Sequence, residues 1–194
     1  LPHLPKSYEV VGVSRHSSDI GDYCDVTQSL QVEKVLSKVR PDAILFAAGQ
    51  FVLDDFRTAT KWPEIASILE VKMLGSIIVA SAALKLGVKT IIFMGGSMTG
   101  SDLRMLYFKP ANAGQQCLVM NLTAQTKLDA YYLELGLVLP SAVGEQYLAS
   151  IPVVEQEKYA GVAVTPADIA TQIIEILNSR VPRGTIISVN RGTI

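Results

Sequence analysis

The chain has 194 residues, 49% of them apolar and 18% charged, with a formal net charge of −1. That length suits one domain with a sizeable core, and that composition excludes a disordered chain. The near-neutral balance gives no electrostatic footprint for nucleic acid or for an anionic membrane surface.

In chain order, residues 8–15 form a short apolar, β-branched run ended by polar residues, which predicts a strand closing at Arg15. Asp25 or Thr27 can cap the helix that follows, whose apolar positions Leu30, Val32, Val35, Leu36 and Val39 fit helical spacing. Arg40-Pro41-Asp42 breaks it, and residues 43–48 read as a buried strand ending at Gly49. A long helix is predicted over 64–86, closed by Gly87, and a strand over 89–94, stopped by Gly95-Gly96-Ser97. Residues 98–116 read as irregular, 121–135 as a helix closed by Gly136, and 137–139 as a strand broken at Pro140. Thr165-Pro166-Ala167-Asp168 opens another helix with a cap and an N1 proline, running to about Ser179, and 185–189 is the last strand.

Strands separated by helices imply parallel crossover connections, hence an α/β fold with a doubly wound parallel sheet and helices on both faces. Ligands of such sheets sit beyond the carboxyl ends of the strands, where Arg15, Gly49 and Ser97 all fall. The two cysteines, Cys24 and Cys117, form no metal-binding or redox spacing and read as reduced thiols of a cytoplasmic protein. No apolar run reaches the ~18 residues expected of a membrane helix. The opening Leu1-Pro2-His3-Leu4-Pro5-Lys6 has neither an initiator methionine nor a signal-peptide core, and reads as a chain entered partway through.

A series of short motifs in this order resembles the short-chain dehydrogenase/reductase family over nearly the whole chain. Arg15 follows a strand as does the basic residue that meets the 2′-phosphate of NADP in that family; otherwise it is a solvated strand-end residue. His16 and Ser17 would line the same corner. Asp25-Val26 resembles the adenine-contacting pair, with a helix cap as the equal account of Asp25. Phe46-Ala47-Ala48-Gly49 resembles the family's Asn-Asn-Ala-Gly, whose small residues admit the cofactor closely. Ser97 resembles the substrate-orienting serine. Leu139-Pro140-Ser141 resembles the turn after the sixth strand, where Pro140 would flank the nicotinamide. Val164-Thr165-Pro166-Ala167-Asp168 and Gly184 to Gly192 resemble the last helix and strand.

The resemblance implies a single Rossmann-like NAD(P)-binding domain over 1–194, with NADP ahead of NAD as cofactor and a homo-oligomer built on the long helices. It assigns Lys127 to the cofactor ribose and sets Thr123 where the family's catalytic tyrosine stands. A phenol begins near pKa ~10 and can be tuned, whereas a threonine hydroxyl cannot serve as a proton donor near neutral pH. Tyr107, Tyr131 and Lys127 itself are the candidate replacements. Lys72 stands where the family has an asparagine, and reads as a helix-surface residue ahead of the alternative, a new cation in the site. The family's first strand and glycine-rich loop are not found, so a slot is expected between the strands at 8–15 and 43–48. The segment 12–21 only mimics such a loop, since no helix separates it from Asp25-Val26.

Three functions follow. The first is an NADP-dependent oxidoreductase of a small carbonyl or alcohol. The second is a catalytically inactive relative, serving as cofactor sensor or assembly subunit. The third is a sugar-nucleotide-modifying relative, suggested by Arg40-Pro41-Asp42-Ala43-Ile44 and the long gap from Ser97 to Thr123, and ranked last because little chain follows Lys127. Residues 144–160, with Tyr147 and Tyr159, are the expected lid.

Overall fold

Every strand pairs parallel to its neighbour in the computed structural model, which describes residues 3–15, 21–97 and 102–191. Strands β1 (Gly12–Ser14) and β2 (Gly21–Tyr23) form one small sheet. Strands β3 (Ala43–Phe46), β4 (Thr90–Gly96), β5 (Asp129–Leu135) and β6 (Ile186–Val189) form a second, in that order. Helices fill the crossovers: α1 (Ser29–Val39) before β3, α2 (Trp62–Leu69) and α3 (Ser76–Leu86) before β4, and α4 (Phe108–Gln125) before β5. Between β5 and β6 come α5 (Ala142–Ala149), α6 (Val153–Gly161) and α7 (Pro166–Leu177).

Alternate strand residues enter two different cores. Phe46, Ile91, Phe93, Ala130 and Tyr132 pack with α1, α3 and α4. Ile92, Tyr131, Leu133 and Val189 pack with Ile169, Ile173 and Ile176 of α7. A sheet covered on both faces explains why its strands read as nearly continuous apolar runs. The expected doubly wound architecture is therefore present.

So is the expected slot. β1 and β3 do not pair, and a cleft of about 470 Å³ lies between them, lined by Val11 and Val13 on one side and Ile44, Leu45 and Phe46 on the other.

The middle of the chain departs from expectation. The helix predicted at 121–135 is instead the end of α4 followed by β5, and much of the stretch predicted as irregular is α4. The run from Ala130 to Leu133 is buried on both sides, so it carries neither a clean period of two nor one of 3.6. Thr126 adopts an extended conformation and ends α4, while Arg183 Nη2 donates to the carbonyls of Thr123 and Thr126 across 2.8 and 2.7 Å. The strand predicted at 137–139 is reduced to one bridge, Val138 to Val164. β2 was not foreseen, and β1 is shorter than the predicted 8–15.

The long predicted helix is continuous from Trp62 to Leu86, but residues Glu70–Gly75 form a π-helical turn within it. By length and composition alone this helix could cross a membrane, although Glu64, Glu70, Lys72 and Lys85 interrupt its apolar run, and half of its most apolar window is buried inside the fold. Gly87 closes it in the left-handed conformation (φ 71°), as its sequence position implies. Neither Asp25 nor Thr27 caps α1; Gln28 occupies that position without a side-chain bond. At α7 the expected cap is complete: Thr165 accepts from the Asp168 amide, and Asp168 accepts from the Thr165 amide.

Candidate functional site at the carboxyl edge of the sheet

Parallel strands deliver their following residues to one edge, so Arg15, Asp25, Ala47, Ala48, Gly49, Ser97 and Pro140 all follow carboxyl ends of strands or lie near them. Arg15, Asp25, Val26, Ala47, Ala48 and Gly49 line the same cleft. Asp25 accepts from the Thr27 amide at 2.9 Å and the Thr27 hydroxyl at 2.8 Å. The Thr27 amide most of all, then its hydroxyl and the nearby Arg15 guanidinium, hold the Asp25 carboxyl below the usual carboxylate range. His16 and Ser17 lie outside the described residues.

The pairing of Thr123 and Lys127 with Ser97 does not form. Lys127 lies in the turn between α4 and β5, at the amino end of β5, whereas Ser97 follows the carboxyl end of β4. β4 and β5 run parallel in register from Thr90–Asp129 to Gly96–Leu135. A seven-residue strand, about 20 Å of extended chain, therefore separates the two ends. Thr123 sits in the last turn of α4, against Gly184. The misplacement follows directly from taking α4 and β5 for one later helix.

Two of the proposed substitutes are held in packed positions. The Tyr107 ring packs against Phe56 and Trp62, with centroids 5.4 and 6.3 Å away. Tyr131 is a strand residue on the α7 side and donates to the Val181 carbonyl at 3.3 Å.

Lys72, read from sequence as a surface residue, is instead 8% exposed. The π turn carries Val71, Lys72 and Gly75 inward. Lys72 Nζ donates to the Met94 carbonyl at 3.1 Å and makes a longer contact, 3.5 Å, with Gln115 Oε1. Its Cε lies beneath Gly49, 3.4 Å from where a β-carbon would stand. Burial lowers its pKa to about 8. Gln115 Nε2 donates to Ser76 Oγ at 2.8 Å, and that hydroxyl donates to the Lys72 carbonyl. One helical turn before Gln115, Asn112 Nδ2 donates to the Gly96 carbonyl at 3.0 Å. Asn112 Oδ1 and the Tyr132 hydroxyl are buried without partners, both against Gly95.

Ser76, Asn112, Gln115 and Tyr132 escaped the sequence reading. The available signal was the Asn112/Gln115 spacing, which puts two amides on one face of a helix. Over the edge, the expected lid is the α5–α6 pair. Tyr147 and Tyr159 meet edge-on at 5.7 Å, and Arg104 Nη1 donates to the Ser150 carbonyl at 3.0 Å.

Residues 3–110 match the model of the NAD dependent epimerase/dehydratase family. Among solved structures, the chain is similar to sorbitol-6-phosphate 2-dehydrogenase from Erwinia amylovora, at 19% identity and TM-score 0.76, covering 90% of this chain and 78% of that one. It is similar to NAD+-bound xylitol dehydrogenase at 14% identity and TM-score 0.75, covering 89% and 80%. With NADP-bound ElxO the figures are 17% and 0.71, covering 91% and 85%. At such identities these likenesses establish the fold. No curated protein sequence matches the chain.

Proposed function

The chain belongs to the NAD dependent epimerase/dehydratase family, and from that premise we propose that it binds NADP(H) along its carboxyl edge as a short-chain dehydrogenase/reductase-type oxidoreductase of a small carbonyl or alcohol. The observation that carries this reading is the placing of Arg15, Asp25, Ala47, Ala48 and Gly49 together just after the carboxyl ends of β1, β2 and β3. The likeness to NADP-bound ElxO and to NAD+-bound xylitol dehydrogenase supports a nicotinamide cofactor.

The cleft residues fit the adenosine half. Arg15 would hold the 2′-phosphate through charge-assisted hydrogen bonds, and Asp25 and Val26 would flank the adenine. Gly49, without a β-carbon, lines the cleft and lets the Lys72 side chain approach its backbone closely. No glycine-rich turn opening a helix faces the cleft from the described residues, so the pyrophosphate has no such cradle among them. When bound, the nicotinamide would supply hydride transfer; the chain's own part is to bind, orient and manage the proton.

A second reading, a catalytically inactive cofactor sensor or assembly subunit, is favoured by the distance of Thr123 and Lys127 from Ser97 and by the packing of Tyr107 and Tyr131 elsewhere. Exposed Met73, Leu74, Ile77, Leu84 and Met120 on the long helix and α4 support a homo-oligomer, and the free thiols of Cys24 and Cys117 support a cytoplasmic setting.

Titration with NADPH and NADH, followed by a carbonyl-reductase screen, tests these readings. Tighter binding of NADPH, with Arg15→Ala erasing the difference, supports the NADP reading. Binding without turnover supports the sensor, and binding of neither dinucleotide defeats the cofactor reading.

A further inference from the structure

A buried ammonium without an anionic partner is unfavourable unless something in its surroundings uses the charge. Among the described residues no carboxylate pairs with Lys72; its Nζ meets only a backbone carbonyl and an amide oxygen. Its position is nevertheless fixed. Gln115 spends its amide hydrogen on Ser76 Oγ, which leaves its oxygen turned toward the lysine. Ser76 in turn is bonded to the Lys72 carbonyl, so amine and backbone are braced by the same two side chains. The segment that carries Lys72 is π-helical, a distortion often found at functional sites. The amine ends between the Gly49 backbone and the end of β4, where a ligand lying across the carboxyl edge must pass.

We propose that Lys72 is the ligand-binding amine of this edge, and that it holds the nicotinamide-side ribose oxygens, the role that sequence resemblance gave to Lys127. The inference rests on the dinucleotide reading above and deepens it. The lysine arrives from the helix before β4 rather than from α4, so the cation is retained while its source in the chain changes. α4 offers no cation of its own beside Lys72: Ala111 is buried, Asn112 bonds to the Gly96 carbonyl, and Gln115 is the brace.

The test compares NADPH with 2′,5′-ADP, which carries the adenosine 2′-phosphate but no nicotinamide ribose, by calorimetry on the full chain. Lys72→Met is expected to raise the Kd for NADPH about tenfold or more and to leave that for 2′,5′-ADP unchanged. An unchanged NADPH Kd, or equal weakening of both ligands, overturns the assignment. If the natural protein binds 2′,5′-ADP as tightly as NADPH, Lys72 makes no such contact although the adenosine site stands. If it binds neither, the dinucleotide reading fails and takes this proposal with it.

A second measurement needs no variant. In the natural protein the preference for NADPH over 2′,5′-ADP should fall as pH rises through about 8, where Lys72 loses its charge. The shared 2′-phosphate cancels in that ratio. α4 presents Asn112 and Gln115 to this corner and β4 its backbone, none of them ionisable, while burial pushes the Tyr132 phenol behind Gly95 upward and keeps it protonated. A ratio independent of pH overturns the proposal.

Discussion

The phenol of Tyr132 fills the space that a side chain at position 95 would need. A β-carbon on Gly95 would collide with the Tyr132 hydroxyl and stand 2.7 Å from Asn112 Oδ1. Tyr132 is wholly buried between β4 and α4, so its ring has nowhere to go. Gly95→Ala should therefore destabilise the protein by about 1–3 kcal/mol through overpacking. A urea unfolding midpoint equal to that of the natural chain would refute this close approach.

Thr123 is a structural residue at the opposite end of α4. Its hydroxyl is buried without a partner, and its methyl lies 2.9 Å from where a β-carbon on Gly184 would stand. Thr123→Val keeps the shape and removes the unsatisfied group, and should raise stability by about 1 kcal/mol. Thr123→Tyr should clash at the Gly184 turn and confer no reductase activity. Turnover gained on adding that phenol would place position 123 at the reacting edge and refute this structural role.

Lys72 gives stability an alkaline dependence. Burial lowers its pKa in the folded chain from 10.5 to about 8, so between these values the unfolded chain holds the extra proton. Stability therefore rises with pH across that window, and below it the cost of the buried charge is fully present. The rise attributable to this group is on the order of 3 kcal/mol. It should vanish in Lys72→Met, as read from unfolding curves measured every half unit of pH.

At the other end of the pH scale, Asp168 is held well below the usual carboxylate range, first by Arg191 and then by the Thr165 amide and hydroxyl. Because the folded value is depressed, its stabilising contribution is present above the ordinary carboxyl pKa and is lost as pH falls through the folded one. Asp168→Asn should flatten the acid limb of the stability profile. Thr165→Ala, which removes the reciprocal cap, should cost about 1 kcal/mol near neutral pH by thermal or chemical unfolding.

Local chemistry was legible wherever a few neighbouring residues decide the outcome. Thr165-Pro166-Ala167-Asp168 predicted a capped helix start, and Gly87 predicted a left-handed helix end. The stretch from Ser97 to Leu135 was not legible in this way. α4 buries polar Asn112 and Gln115, which blurs its apolar stripe, and β5 is buried on both faces, which erases the alternation that marks a strand. With those two elements merged, a lysine at the wrong edge of the sheet took the place of a lysine at the right one.

By itself, the sequence determined the class of fold, its alternating order, the strand ends that carry Arg15, Gly49 and Ser97, and the slot between the strands predicted at 8–15 and 43–48. These follow from short-range patterns of apolar residues, glycine and proline. Only the tertiary structure decided which lysine is buried beside the carboxyl edge. Exposure of a lysine is a property of the helix packing around it, and a π turn of six residues was enough to bring Lys72 under Gly49 while Lys127 stayed a strand length away.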